Sequence, residues 1–337
     1  MKAETKQAMA LVQQFEALTP FKLRDRKVGK EGLIGWQMLA VQTARDIKTE
    51  YPSSASCLAV KKKLLAELKA YKKEWLLDSA NYHPVQTIVT HFREALNFLF
   101  AEFQMDVNQE YRSRVEARST DENRIECDLT AYLQKALNVL KLASSGATKE
   151  VLKWEDVSCA IALVTGRRMS EIHYSALFEV DDTHTLKFQG QLKGKEKRVN
   201  SEKVFDHVFL IPTLIPASLA LDGLKWLERE GKRIDRTTGS AEQVNKTWGK
   251  YLARRAKSEW EIIKDEVWQE VDAKDKWTFH KLRGVYYSCC LHNFLTDNLS
   301  FFSAKKKALE ILGDGDHKTL ESYERVDIQH GSLTRVV

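Results

Sequence analysis

Five prolines and 15 glycines are few for a chain of 337 residues, and long stretches run without a breaker, so extended helices are expected. No run of about twenty apolar residues occurs, which excludes a membrane-spanning helix. The opening residues, Met1-Lys-Ala-Glu-Thr-Lys-Gln, lack the apolar core of a secretory signal, so a cytoplasmic protein is expected. The five cysteines (Cys57, Cys127, Cys159, Cys289, Cys290) are odd in number and contain no C-x-x-C pair. Free buried thiols in a reducing compartment are expected, not a disulfide framework. Histidines are scattered rather than clustered with cysteine at ligand spacing, so no metal site is expected. Internal repeats and low-complexity tracts are also missing.

What is there fits a soluble globular protein with room for two domains: 43% apolar and 30% charged residues. The formal net charge of +6 permits contact with nucleic acid without demanding it. Residues 86–105 read as one amphipathic helix, with Ile88, Phe92, Leu96 and Phe100 at four-residue steps. Residues 57–77 read as another, carrying Lys61, Lys62, Lys63, Lys69, Lys72 and Lys73. That lysine run is either a DNA-backbone surface or a solvated face balanced by Glu67 and Glu74. Residues 116–124 are polar and aperiodic and read as a linker, so the expected domains are 1–122 and 123–337. Beyond it, 128–142 and the strongly apolar 157–164 read as helices. Strands are expected at 176–180, 184–191 and 204–210, a small antiparallel sheet in a mainly helical protein. The eight tryptophans, with His173, His184 and His207, read as core residues.

Three segments carry chemistry. In Thr165-Gly-Arg167-Arg168-Met-Ser-Glu171-Ile, a helix runs into a glycine turn and an arginine pair opens the next element. A guanidinium there can grip a phosphate with two hydrogen bonds, and Glu171 can hold it in place. In His280-Lys-Leu-Arg283, residues three apart share a helical face and can address one phosphate. The last, Ile311-Leu-Gly-Asp314-Gly-Asp-His317-Lys-Thr-Leu-Glu-Ser-Tyr323, ends on a tyrosine near the end of the chain. Each alone also fits ordinary surface or packing roles; their order and spacing give them meaning.

Together with the hairpin Phe188-Gln-Gly-Gln-Leu-Lys193-Gly-Lys195, these segments resemble the tyrosine recombinase family over about residues 125 to 330. Within it they look most like the telomere resolvases, or protelomerases. The F-x-G-Q-x-K hairpin, the following Phe209-Leu-Ile-Pro-Thr-Leu-Ile-Pro and the wide gap from Lys193 to His280 carry that closer match. The resemblance implies a tyrosine-recombinase-like catalytic domain preceded by a helical DNA-clamping domain. It implies Tyr323 as nucleophile, Arg168 and Arg283 on the phosphate, Lys193 as general acid, and His280 as proton acceptor or hydrogen-bond donor. Lys195 is a rival for Lys193, since both sit in one turn. The family carries His or Trp directly after Leu-Gly, where this chain has Asp314. Asp314 fills that role in modified form, or His317 does from a shifted loop, or the role is absent. DNA-backbone contacts are expected from Arg167, Lys195, Lys61, Lys62, Lys69 and Lys73. The implied partner is double-stranded DNA with a palindromic telomere or recombination site, bound by a dimer, with no metal, nucleotide or other cofactor. The implied setting is the cytoplasm or nucleoid of a bacterial host, with the protein encoded by a phage or plasmid. The implied activity is formation of hairpin telomeres; an integrase joining separate duplexes and an inactive DNA-binding relative are the alternatives.

Overall fold

The computed structural model describes residues 30–75, 82–120, 123–192, 198–199, 202–203, 207–270, 272–273, 275–313 and 323–336. Two units divide the chain, Met1–Ser113 and Arg114–Val337. No helix among the described residues is long and apolar enough to cross a membrane. The architecture is mainly helical with a small antiparallel sheet, as the sparse breakers lead one to expect.

The first unit is built from α1 (Lys30–Glu50), α2 (Ser54–Trp75), α3 (Tyr82–Leu99) and the start of α4 (Ala101–Ser119). Ala40, Ala44 and Ile47 of α1 pack with Cys57, Val60, Leu64 and Leu68 of α2 and with Phe92, Leu96 and Phe100. The single helix expected over 86–105 is two helices, divided at Phe100. Hydrogen bonds from Phe100 N–H to Leu96 (3.1 Å) and from Gln104 N–H to Phe100 (3.0 Å) persist on both sides. The polar segment expected to be a linker is instead helical as far as Ser119. It contains no glycine or proline in that span, and helix propensity is enough to extend an existing helix without an apolar stripe. The boundary between the two units falls within α4, at Ser113 and Arg114.

The second unit is organised on α6 (Trp154–Thr165), in which every residue from Asp156 to Thr165 is buried. A helix apolar all round must be enclosed on all sides. Here α5 (Thr130–Ser144), α7 (Ala217–Arg229), α8 (Ala241–Glu259) and α10 (Lys281–Thr296) surround it. Its one buried acid, Asp156, accepts hydrogen bonds from Arg255 (2.8 and 2.6 Å) and from Trp260 Nε1 (2.9 Å). Beyond α6, a π-helical turn (Glu171–Ser175) leads into the sheet; α9 (Asp265–Gln269) and α11 (Phe301–Leu312) complete the helices.

Strands β2 (Leu177–Asp182), β3 (Thr185–Gln189) and β6 (Phe209–Pro212) form the antiparallel sheet in the order β2-β3-β6. Leu186, Phe188 and Ile211 face the core, with Phe188 opposite Phe178 on one side and Phe209 on the other. The third strand, expected over 204–210, runs later: His207 and Val208 are outside it, and 204–206 lie outside the described residues. Its register ends with Pro212 opposite Thr185, and just beyond it Thr213 N–H donates to the His184 carbonyl at 2.7 Å. Strands β4 (Arg198–Val199) and β5 (Glu202–Lys203) make a short hairpin. Strand β1 (Ile125–Cys127) pairs in parallel with β7 (Val326–Ile328), tying the chain just past Tyr323 to the start of the unit.

The five cysteines are free and buried. Trp226, Trp260, Trp268 and Trp277 are buried, Trp154 and Trp248 half-buried, and the side chains of Trp36 and Trp75 lie outside the described residues. His184 is half-buried, but His207 is exposed, contrary to its expected place in the core. His173 is enclosed between Trp154 and Trp248, and burial pushes its pKa down to about 4 from an ordinary 6.5. The folded state thus favours neutral imidazole, while the unfolded chain takes up a proton below pH 6.5. Its contribution is complete above that pH and is lost as pH falls toward 4, up to about 3 kcal/mol. Urea unfolding at pH 7 and pH 4.5 should show this slope in the native protein and a shallower one in His173→Gln.

Candidate active site

The site begins where α6 stops. Gly166 caps that helix in the left-handed conformation, at φ 66°. A Cβ at this position would stand 2.2 Å from Tyr286 Cδ1, so both backbone angle and space demand glycine. The turn delivers Arg167 and Arg168 beside the π-helical turn, and Glu171 folds back onto them. One Glu171 oxygen accepts from the Arg168 backbone N–H and the other from Arg168 Nη1, each at 3.0 Å. Leu192 N–H, directly before Lys193 in the sequence, reaches the same carboxylate at 3.5 Å. Burial alone would raise the Glu171 pKa, yet it lies below the usual carboxylate range because Arg167, Arg283 and Arg168 surround it. Its charge therefore stabilises the fold above the unfolded-state pKa, and that stabilisation is lost as pH falls through the lower folded value.

Arg283 lies in the first turn of α10, where it is 1% exposed. Nη1 donates to the Gly166 carbonyl and Nη2 to the Leu312 carbonyl, the latter at 2.7 Å. Both acceptors are at helix C-termini, where carbonyls lack helical partners and the helix dipole favours cations. One guanidinium thus joins the ends of α6 and α11. Gln191, beside Leu192, donates to the Gly313 carbonyl and connects the chain after β3 to the same corner.

Tyr323 is 5% exposed, and its ring contacts Tyr287 at a 6.0 Å centroid separation, with Arg283 Cζ also 6.0 Å from its centroid. Its hydroxyl lies 3.1 Å from His280 Nε2. His280 is itself exposed, immediately before α10, so the buried phenol meets the surface through the imidazole. With the ring proton on Nδ1, Nε2 accepts from the tyrosine O–H, the arrangement that general-base activation of a phenol requires.

Arg168, Arg283, His280 and Tyr323 are therefore placed on adjoining elements of one unit. Arg167, expected on DNA, is 1% exposed instead. Its guanidinium lies 4.5 Å from the Phe188 ring centroid and donates to Thr165 (3.1 Å) and Ile311 (2.8 Å) carbonyls. Burial, followed by the charge of Arg283, lowers its pKa to about 10. Those bonds make it an internal strut between the end of α6 and α11. Lys61 donates to Asn97 Oδ1 at 3.2 Å and lies 5.6 Å from the Phe100 centroid, so its stem helps pack α2 on α3; Lys62 is exposed. Lys193, Lys195, Asp314 and His317, and the side chains of Lys69 and Lys73, lie outside the described residues. Sequence reading missed Tyr287, Asp275 and Arg325; only Arg325, two residues after Tyr323, stood near a motif.

A phenol paired with an imidazole, beside guanidiniums clustered on one buried carboxylate, suits nucleophilic attack on a phosphodiester. Residues 123–325 match the model of the telomere resolvase ResT/TelK catalytic domain, and the chain belongs to that family. No curated protein sequence matches it. Among solved structures, protelomerase TelA covalently complexed with substrate DNA is similar at a TM-score of 0.55 and 15% identity, over 95% of each chain. A mutant of protelomerase TelA complexed with a DNA hairpin product is similar at 0.51 and 15% identity, again over 95% of each chain. At such identity these two likenesses bear on the fold alone.

Replacing Arg283 by lysine keeps the charge but loses the fork that joins Gly166 and Leu312. Covalent adduct formation on target DNA should fall about 10²–10³-fold, the scale set by removing one transition-state donor, with duplex binding retained. Single-turnover adduct assays beside gel-shift titrations measure both.

Proposed function

We propose that this chain converts replicated telomere junctions into covalently closed hairpin ends, using Tyr323 as the nucleophile. The observation that carries this reading is the Tyr323 hydroxyl held 3.1 Å from His280 within the matched catalytic domain. Tyr323 attacks the scissile phosphorus, its proton passes to His280, and the bond from phosphorus to the 5′ oxygen breaks. Lys193 protonates that oxygen. The product is a 3′-phosphotyrosyl ester and a free 5′ hydroxyl. Arg168 and Arg283 neutralise the charge that builds on the nonbridging oxygens. The ester keeps the phosphodiester's bond energy, so resealing needs no nucleotide cofactor.

Two subunits on a palindromic duplex nick opposite strands, and each 5′ hydroxyl attacks the phosphotyrosine across the duplex. The hairpin bond forms as Tyr323 departs and recovers a proton. Folding a strand back requires deforming DNA, which costs up to about 10 kcal/mol in stiff sequence. Backbone contacts from residues 1–122, which act as a DNA-clamping domain ahead of the catalytic domain 123–337, offset that cost. The described relatives support this reading: one protelomerase is covalently complexed with substrate DNA and a mutant of it is complexed with a DNA hairpin product. His317 supplies a further hydrogen bond to phosphate, or Asp314 orients another donor toward it, or that role is absent; the protein works in the cytoplasm or nucleoid of a bacterial host.

The test is a palindromic replicon-end duplex resolved on a denaturing gel. Snap-back hairpins from one site, absent with Tyr323→Phe, are the expected product. Recombinants joining two duplexes would instead make the protein an integrase. A chain that binds the duplex but forms no adduct would be a DNA-binding relative without catalysis.

A further inference from the structure

Outside the motif residues, one carboxylate fastens both halves of the tyrosine–histidine pair. Asp275 precedes α10 and is 7% exposed. Its Oδ2 accepts from Arg325 Nη1 at 3.0 Å, and Lys281 Nζ stands 2.9 Å from the same carboxylate. Arg325 lies two residues past Tyr323, and Lys281 directly follows His280. The indole of Trp268 reinforces the junction, with Lys281 Nζ 3.6 Å and Arg325 Cζ 4.8 Å from its ring centroid. Arg325 Nη2 also donates to the Val267 carbonyl at 3.3 Å, and its own carbonyl accepts from Ile125 N–H at 2.7 Å. A buried guanidinium with these partners has little freedom to shift, because each displaced bond leaves a charge unsupported.

We propose that Asp275 is a positioning residue for strand breakage: it sets the register of the Tyr323 segment against His280. The inference rests on the reading of Tyr323 as nucleophile. Asp275 acts through Arg325 and Lys281. Holding the two segments on one carboxylate fixes the separation across which the phenol proton passes during attack. Misplacement by about 1 Å can slow such a step about 10²-fold.

The test compares the full-length chain with Asp275→Asn and Asp275→Glu in single-turnover cleavage, with duplex binding and melting temperature measured beside it. A parallel arm uses hydrogen peroxide as the nucleophile in Tyr323→Phe, with and without Asp275→Asn. Peroxide attacks the same phosphorus and displaces the same 5′ oxygen, which takes up a proton, so phosphate activation is needed but the position of Tyr323 is not. Asp275→Asn should slow tyrosine adduct formation about 30-fold or more while peroxide cleavage and binding change less than about threefold. Asp275→Glu should recover part of the rate. Should Asp275→Asn fail to fold, Arg325→Lys, which keeps the charge pair but not the bond to Val267, should slow adduct formation about tenfold. Tyrosine and peroxide cleavage falling together, or Asp275→Asn and Arg325→Lys cleaving at the native rate, would overturn the proposal. A native chain that forms no adduct would overturn the reading of Tyr323 first, and the role of Asp275 with it.

Discussion

Three guanidinium groups brought into a protein interior repel one another and lose their hydration. In this chain Glu171, fully buried, answers all three: it bonds Arg168 directly and lies in the field of Arg167 and Arg283. Breaking a buried ion pair by removing one partner typically costs about 3–5 kcal/mol, because the charge left behind is unsupported. The corner of the fold follows from that requirement. Arg167 and Arg283 reach their places by donating to carbonyls of Thr165, Gly166, Ile311 and Leu312, at the last turns of α6 and α11. Two helix ends that need donors and two cations that need acceptors satisfy each other. The cluster is thereby built before any phosphate arrives, the preorganisation that electrostatic catalysis relies on.

A second frame meets the first at Tyr323. The parallel pairing of β1 with β7, the Arg325–Asp275–Lys281 junction and the stacking on Tyr287 together hold the phenol against His280. On the proposed reading, the cationic cluster acts on the phosphate and this second frame on the nucleophile. They share α10, which carries Arg283 and Lys281 and starts one residue after His280. One helix therefore sets the geometry of phosphate and nucleophile together.

Much of this was legible in the sequence, for identifiable reasons. The apolar run 157–164 could only be an enclosed helix, and the alternation around Leu186 and Phe188 could only be a half-buried strand. The Thr165-Gly-Arg-Arg and His280-x-x-Arg283 segments signal their chemistry through residue types at fixed spacing. What escaped was decided by tertiary context. Two adjacent arginines look alike in sequence, and only the turn after Gly166 sends Arg167 inward onto Phe188 while Arg168 stays beside Glu171. The end of α4 carries no apolar stripe, so its helical continuation to Ser119 left no pattern to read. Asp275 sits in a short polar stretch with no periodicity, and its partners are 6 and 50 residues away along the chain.

The most direct measurement is to identify the residue that becomes attached to DNA. The covalent complex trapped on a palindromic duplex would be digested with nuclease and protease, and the nucleotide-bearing peptide sequenced by mass spectrometry. The account predicts a single modified peptide, with the nucleotide 3′-phosphate esterified to Tyr323. Attachment at another side chain, such as Tyr287 one ring away, or through a 5′ phosphate, would contradict it.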